Sequence, residues 1–568
     1  MQNLKKKISK ALTSAMNTAF PGAEVPSESE LILMLEYPPD EKMGDIAFPC
    51  FKLSKALRKA PPMIASALVG EFKCDGVEKC ECVGGYLNFY ISNGYYESLV
   101  PRIISEGSDY GRGHAGDGKV AVLDYSAPNI CKPFHIGHLA STVIGHSLKK
   151  LHEFVGYSCV GVNHLGDWGT QFGKQITAFK LWGDHDEVEK GGVDELVRLY
   201  VKFHEEAEKD PALNDRAREE FAKLEEGDEE NIALWKWFVS ISLDECNRTY
   251  DKLGITFDSY AGESFYTDKM AEQVELLKKK GLLKVDNGAS IVDLSEYNMP
   301  PCLILKSDGS TLYPTRDIAA AVYRDRTYHF NKCIYVTASQ QCLHFAQWFK
   351  VVELMGYDFA GKLVHVPYGM VSIDGAKLAT RTGNVILIRD LIDAAVEKVK
   401  AVIDEKNPNL DDKEATAEAV GVGAIVFHYL LNSRIKDINF IMDDALSFDG
   451  STGPYAQYTY ARTCSLIEKA GDEGGKVVVT EPSEASLAKA LSRFGECVEY
   501  AVRDYEPSVI TRYILDVCVA FNRFYQDCKI LGAENKCVCA SRVALVRATN
   551  VVLGNALPLI CMKTPKKI

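Results

Sequence analysis

Over the first twenty residues apolar side chains return at every fourth position, Leu4, Ile8, Leu12 and Met16, which predicts an amphipathic helix with one buried stripe. The same stretch has three consecutive lysines and no acid, as an organelle transit peptide would, but an ordinary first helix accounts for the period. Near Lys119 the pattern changes. Short apolar runs, "VAVLDYS", "YSCVGVN" and "KCIYVTA", alternate with helical stretches, one opening after His135, then "DWGTQFGKQITAFKLW" and "HFAQWFKVVELMG". Strands alternating with helices predict a parallel sheet. "SDGSTLYPTRD" adds a hairpin turn expected at Asp308-Gly309, leading into a helix.

Two regions break the alternation. Between about 184 and 254, Leu196, Leu199, Tyr200 and Phe203 keep helical spacing in an acidic stretch without strand signals, so a helical insertion is expected. From about Asp390 onward nearly everything is helical in period, broken by the loop "AGDEGGKVVVTEPSE". With "EGSDYGRGHAGDGKV" as a linker, the chain divides into an α+β domain over 1–115, an α/β domain over 116–395 with its insertion, and an all-α domain over 396–568.

Composition narrows the class. A chain of 568 residues, 46% hydrophobic and 25% charged, is a globular protein of roughly three or four cores, and no run of 18 apolar residues calls for a membrane. The 17 cysteines are scattered, several of them (Cys159, Cys246, Cys333, Cys518) inside apolar segments, which points to a reducing, cytoplasmic setting. Cys74, Cys80 and Cys82, like Cys537 and Cys539, lack the paired spacing of a zinc site, so no protein-bound metal is expected. The net charge of −13 weighs mildly against a nucleic-acid partner, although only a local basic face would decide that.

The chemistry gathers at "AVLDYSAPNICKPFHIGHLASTVIG", a strand, a tight polar loop and a helix mouth, where a parallel sheet places its ligand. His135 and His138 stand three apart, so on a helix both imidazoles share a face beside N–H groups that attract anions. Gly137 between them lets a ring or phosphate approach the backbone. The motif alone fits a nucleotide site or a pair of surface or metal-binding histidines equally well.

Its surroundings carry a resemblance. With "NICKPFHIGH", "NHLGDWGTQFGK", "LYPTRD", "ASQQCLHF", "GMVSIDGAKLATRTGN" and "STGPYAQYTYAR", the chain resembles the class I aminoacyl-tRNA synthetases, and among them the arginyl-tRNA synthetase family, over nearly its whole length. The resemblance implies a Rossmann-like catalytic domain between a tRNA-elbow-binding N-terminal domain and a helical anticodon-binding domain. It implies that His135, Gly137, His138, Met370, Val371 and Lys377 serve ATP, with Lys132 near the phosphates and Lys377 and Arg381 in a second, mobile signature loop. Glu263, Tyr313 and Asp317 would grip the arginine side chain, and Asn129, His138 and Gln341 its backbone end, while Tyr455, Gln457, Tyr458 and Arg462 would meet tRNA. Carboxylates suit a guanidinium, a planar fork of donors. Read from sequence alone, Asp317 also fits a first-turn acid stabilising a helix N-terminus, and Tyr458 fits a packing residue.

ATP, Mg²⁺, L-arginine and tRNA(Arg) follow as expected cofactors and partners of a monomer, with no activation of arginine until tRNA is engaged. Two departures stand out: Ala140 occupies a position where the family carries Arg, and the loop reads KLATR without its second Lys. They keep open a catalytically impaired, tRNA-binding relative. A class I enzyme for another amino acid is disfavoured by the acids at Glu263 and Asp317.

Overall fold

The computed structural model describes every residue except 308–311, 374–375, 378–385, 472–474 and 534. Its centre is a four-stranded parallel sheet in the order Leu363–Tyr368, Lys332–Ala338, Val120–Asp124, Ser158–Val162. Successive residues of a strand point to opposite faces, and here both are buried. Ala121, Leu123, Ile334 and Val336 join the core under the helix Ile136–Phe154, whereas Val122, Cys333 and Tyr335 join Ile318, Trp348 and Val351 on the other side. The strands and helices read from the hydrophobic pattern are all present.

The expected insertion is three helices, His185–Lys209, Ala212–Glu226 and Glu229–Leu253, packed on the helix Thr170–Trp182 around Phe172, Leu199, Phe203 and Phe238. An antiparallel sheet of Leu283–Asp286, Ala289–Val292 and Cys302–Leu305 was not anticipated. Its hairpin turns at Asn287 and Gly288, whose φ values of 48° and 84° suit a two-residue Asn-Gly turn. The hairpin expected at Asp308-Gly309 lies outside the described residues.

At the N-terminus the helix Gln2–Ala19 buries Leu4, Ile8, Leu12 and Met16 beside a three-stranded antiparallel sheet. The C-terminal region is a helical bundle. Its helices Lys413–Leu431 and Lys536–Leu559 are apolar and long enough to cross a membrane by composition alone, but most of their length is buried within the protein. The division expected at 395/396 falls within the helix Ile388–Lys406.

The helix Ile136–Phe154 is enclosed on nearly every side, with an unbroken buried run from Leu139 to Lys149. Ala140 is 1% exposed within it, so the position where the family carries Arg belongs here to the core. A Cβ on Gly145 would lie 2.2 Å from Cβ of Tyr125. Gly145→Ala should therefore destabilise the fold by about 1–3 kcal/mol, seen as a lower midpoint in thermal unfolding.

Candidate active site

The strand Val120–Asp124 ends in a loop whose backbone is forced into unusual shapes. Ser126, Ala127 and Cys131 have φ of 73°, 47° and 59°, a region costly for residues with a Cβ. Four side chains from three other segments hold them there. Ser126 N–H donates to Ser141 Oγ, Ala127 N–H to Asn163 Oδ1 and Cys131 N–H to Ser242 Oγ, while the Tyr250 hydroxyl bonds both Ser126 Oγ and Asn163 Nδ2. Ser242 and Tyr250 come from the insertion, which thus braces the loop.

The loop delivers His135 as the N-cap of its helix. Gly137 N–H donates to His135 Nδ1 at 3.1 Å, and His135 N–H donates to His138 Nδ1 at 3.2 Å. Two imidazoles thus make the reciprocal pattern that Ser and Glu make in a capping box. Each Nδ1 accepts, so a neutral ring carries its proton on Nε2 and presents a donor. Burial keeps both neutral, pulling His138 down to about 3 with help from its neighbour, and lowering His135 as well. Their ring centroids are 4.0 Å apart. Two uncharged donors at a helix N-terminus can bind phosphate oxygens without a counter-charge of their own.

Lys132 is half-buried, its pKa lowered by desolvation and supported by nearby Cys131 and Glu263. Glu263 opens the turn Glu263–Lys269, its N–H bonded to Leu165 O. Asp167 fixes that turn by accepting from Ser264 N–H at 2.8 Å and Ser264 Oγ at 2.6 Å. Only glycine fits before it, because a Cβ on Gly262 would lie 2.6 Å from Asp167 Oδ1. Burial pushes Glu263 up to about 7, eased by Arg316 and aggravated by Asp317 and Asp167.

Asp317 is the fifth residue of the helix Tyr313–Tyr328, past the first turn, so the helix-end role open to it in sequence does not apply. Its Oδ2 lies 2.6 Å from His344 Nε2. Tyr313 starts that helix and is 67% exposed. Gln341 is exposed at the start of the helix Cys342–Leu354, and Asn129 is exposed on the strained loop, bridged to Gly166.

Met370 is exposed and Val371 buried in the strand Val371–Ile373. Lys377 lends its backbone to the neighbouring strand Ala376–Lys377, while its side chain and all of Arg381, with the rest of KLATR, lie outside the described residues. The chain returns to the site just beyond: Ile136 N–H donates to Ile386 O and Ile388 N–H to Phe134 O, pairing that segment antiparallel with His135.

The residues expected to meet tRNA divide. Gln457 is fully buried, its Nε2 donating to Ala419 O at 3.0 Å and Lys563 O at 2.9 Å, so it is a packing residue and not an RNA contact. Tyr458 is 42% exposed. Arg462 lies between the rings of Tyr458 and Tyr525, 4.8 and 4.9 Å from their centroids, and donates to Asn522, which also holds the Tyr455 hydroxyl. Sequence reading passed over Tyr525, His344, Arg316 and the buried pair Asp124–Arg324 (2.8 Å) under the strand end. Only the "TRD" and "CLHF" stretches around Arg316 and His344 held a signal.

The model of the family described as tRNA synthetases class I (R), catalytic domain, matches residues 99–442, the arginyl tRNA synthetase N terminal domain 2–91, and the DALR anticodon binding domain 456–568. The chain is 49% identical to the arginine–tRNA ligase of Alkaliphilus metalliredigens, covering 100% of both chains, and 50% identical to that of Clostridium botulinum strain 657, covering 93% of this chain and 94% of the other. Among solved structures, arginyl-tRNA synthetase from Plasmodium falciparum superimposes with a TM-score of 0.83 at 25% identity, covering 99% of each chain. That from Thermus thermophilus shares the fold, with a TM-score of 0.84 at 24% identity over 100% of each. With a family model spanning more than half its length and relatives at half identity along the whole of it, the chain belongs to the arginyl-tRNA synthetases of class I.

Proposed function

We propose that the chain joins arginine to tRNA(Arg) at the expense of ATP. The arginine carboxylate attacks the α-phosphorus, the bond to the β-phosphate oxygen breaks, and pyrophosphate leaves. A hydroxyl of the tRNA 3′-terminal ribose then attacks the arginyl carbonyl and AMP departs. No side chain needs to bond to substrate; positioning and electrostatic stabilisation suffice. The observation that carries this reading is the neutral His135–His138 pair at a helix N-terminus, beside a group of acids suited to a guanidinium.

In this reading Nε2–H of both histidines and the Lys132 ammonium take up charge growing on the phosphates, and Gly137 leaves room for the nucleotide. Met370 and Val371 contact ATP, and Lys377 and Arg381 close on the pyrophosphate. Glu263, Tyr313 and Asp317 hold the guanidinium; Asn129, His138 and Gln341 hold the backbone end. Among the described residues no three His, Cys, Asp or Glu are grouped to bind a metal, so Mg²⁺ would travel on the ATP phosphates, and no step here depends on it. Residues 1–115 take the tRNA elbow and 396–568 the anticodon, with Tyr455, Tyr458 and Arg462 on the RNA side. The protein works as a cytoplasmic monomer.

A route from RNA to chemistry is at hand, because the bundle touches the catalytic helix directly. The Tyr429 hydroxyl donates to Ile136 O, and Ser147 Oγ donates to Leu559 O at 2.7 Å. Seating tRNA on the bundle would then bias the helix mouth, which supports activation of arginine only once tRNA is present.

Arginine-dependent ATP–pyrophosphate exchange with tRNA present is the deciding measurement: exchange should occur, and His138→Ala should lower its rate about 10²- to 10³-fold while tRNA affinity stays within a few fold. Absence of exchange under every condition would leave a binding-only protein. Asp317→Asn should raise the arginine KM by about 10- to 100-fold and leave the ATP KM nearly unchanged, because the guanidinium, and not the nucleotide, loses a charged partner. The arginine KM should also climb as pH falls from 8 to 6. Glu263, pushed up to about 7, becomes protonated and uncharged over that range, whereas His138, near 3, stays neutral throughout.

A further inference from the structure

Glu263, read above as a carboxylate for the substrate guanidinium, already faces a guanidinium of the protein's own. Arg316 Nη1 lies 2.8 Å from Glu263 Oε2, and the two side chains are only 13% and 16% exposed. Arg316 stands between Tyr313 and Asp317 on the same helix, with Cζ 5.9 Å from the centre of the Tyr313 ring. It therefore reaches two of the groups assigned to substrate arginine with the same chemical head group. The seat is imperfect: Arg316 Nε is buried with no acceptor among the described residues. A buried donor left unpaired is costly, so this contact is poised for exchange.

We propose that Arg316 is a resident stand-in for the substrate, pairing with Glu263 in the empty enzyme and giving up that carboxylate when arginine arrives. The proposal rests on the reading of Glu263 as a substrate-binding carboxylate. The groups that bear on Glu263 are Arg316 and Asp317 from the Tyr313 helix, Asp167 from the loop after the strand Ser158–Val162, and Lys132 from the strained loop. Among these, Arg316 is the cation in direct contact, and it holds the Glu263 pKa down against the upward push of burial. Substrate binding then swaps one guanidinium for another and leaves no buried carboxylate unpaired. An uncharged isostere such as citrulline cannot make the swap, since displacing Arg316 would strip Glu263 of its cation and supply none. The accompanying cost is competition, because substrate binds only in the fraction of time that Arg316 is away.

The test compares wild type, Arg316→Ala and Arg316→Lys as full-length chains, measuring arginine KM, kcat and inhibition by guanidinium chloride in tRNA-supported pyrophosphate exchange. On the alkaline plateau of each variant's KM profile, Arg316→Ala should lower both the arginine KM and the guanidinium inhibition constant, roughly three- to tenfold. It should also move the KM rise on acidification to higher pH, because Glu263 loses its cation. Arg316→Lys should fall between, its compact ammonium lacking the planar fork. A higher arginine KM in Arg316→Ala, or a lower kcat at unchanged KM, overturns the proposal and makes Arg316 a support for the site. Should thermal unfolding show that Arg316→Ala does not fold, Arg316→Lys alone decides by the same signs. Glu263→Gln separates the two layers: an unchanged arginine KM there sinks the assignment of Glu263, whereas a raised KM there combined with a raised KM in Arg316→Ala sinks only the stand-in.

Discussion

Between the strand end at Asp124 and the cap at His135 the chain must reverse and present a helix N-terminus within a few residues, and it does so through three left-handed non-glycine residues, Ser126, Ala127 and Cys131. Each such conformation costs about 1–3 kcal/mol and persists only where its surroundings over-determine it. Here Ser141, Asn163, Ser242 and Tyr250 supply that determination, each spending a side-chain oxygen or amide on the loop. The mutual capping of His135 and His138, their Nε2 donors and the placement of Lys132 all follow from where this loop leaves the chain. The helical insertion, which looks peripheral along the sequence, is thereby a structural partner of the helix mouth at His135.

The electrostatics answer a second constraint, that of assembling several acids where little solvent reaches them. Asp124, Asp167, Glu263 and Asp317 lie close together, and each is matched locally: Asp124 by Arg324, Glu263 by Arg316, Asp317 by His344, and Asp167 by the N–H and hydroxyl of Ser264. Burial of ionised groups on this scale is tolerable only with such pairing. At the helix mouth the solution is different, with neutral imidazoles that have little charge to desolvate. The two halves of the site therefore respond to pH in different ranges.

Periodicity made most of the architecture readable. The run "KCIYVTA" is the strand Lys332–Ala338, the stripe Leu4–Met16 is the buried side of the first helix, and the acidic interval is the three-helix insertion. What escaped was short or non-local. The strands between Leu283 and Leu305 are four residues each and partly exposed, too brief for a two-residue period to stand out. Arg316 and Glu263 are 53 positions apart, and only folding reveals that one faces the other. Gln457 looked like its neighbours Tyr455 and Tyr458 because a helix with polar residues all round does not disclose which side meets a partner. The carbonyls of Ala419 and Lys563 settle that, and neither is visible from the local sequence.

The helix Ile136–Phe154 is pressed between the parallel sheet and the C-terminal bundle, and its ties run to Val336, Tyr429 and Leu559. Local opening free energy depends on how many neighbours must part at once. Opening the buried middle of this helix, from Leu139 to Lys149, therefore requires sheet and bundle to part, which ties two regions distinct in sequence to one another. A graft of this sheet and helix onto another bundle would have to reproduce the surface offered by Leu559 and Tyr429. A substitution that reshapes either surface is thus felt by both regions, and the line between sheet and bundle is a shared seam.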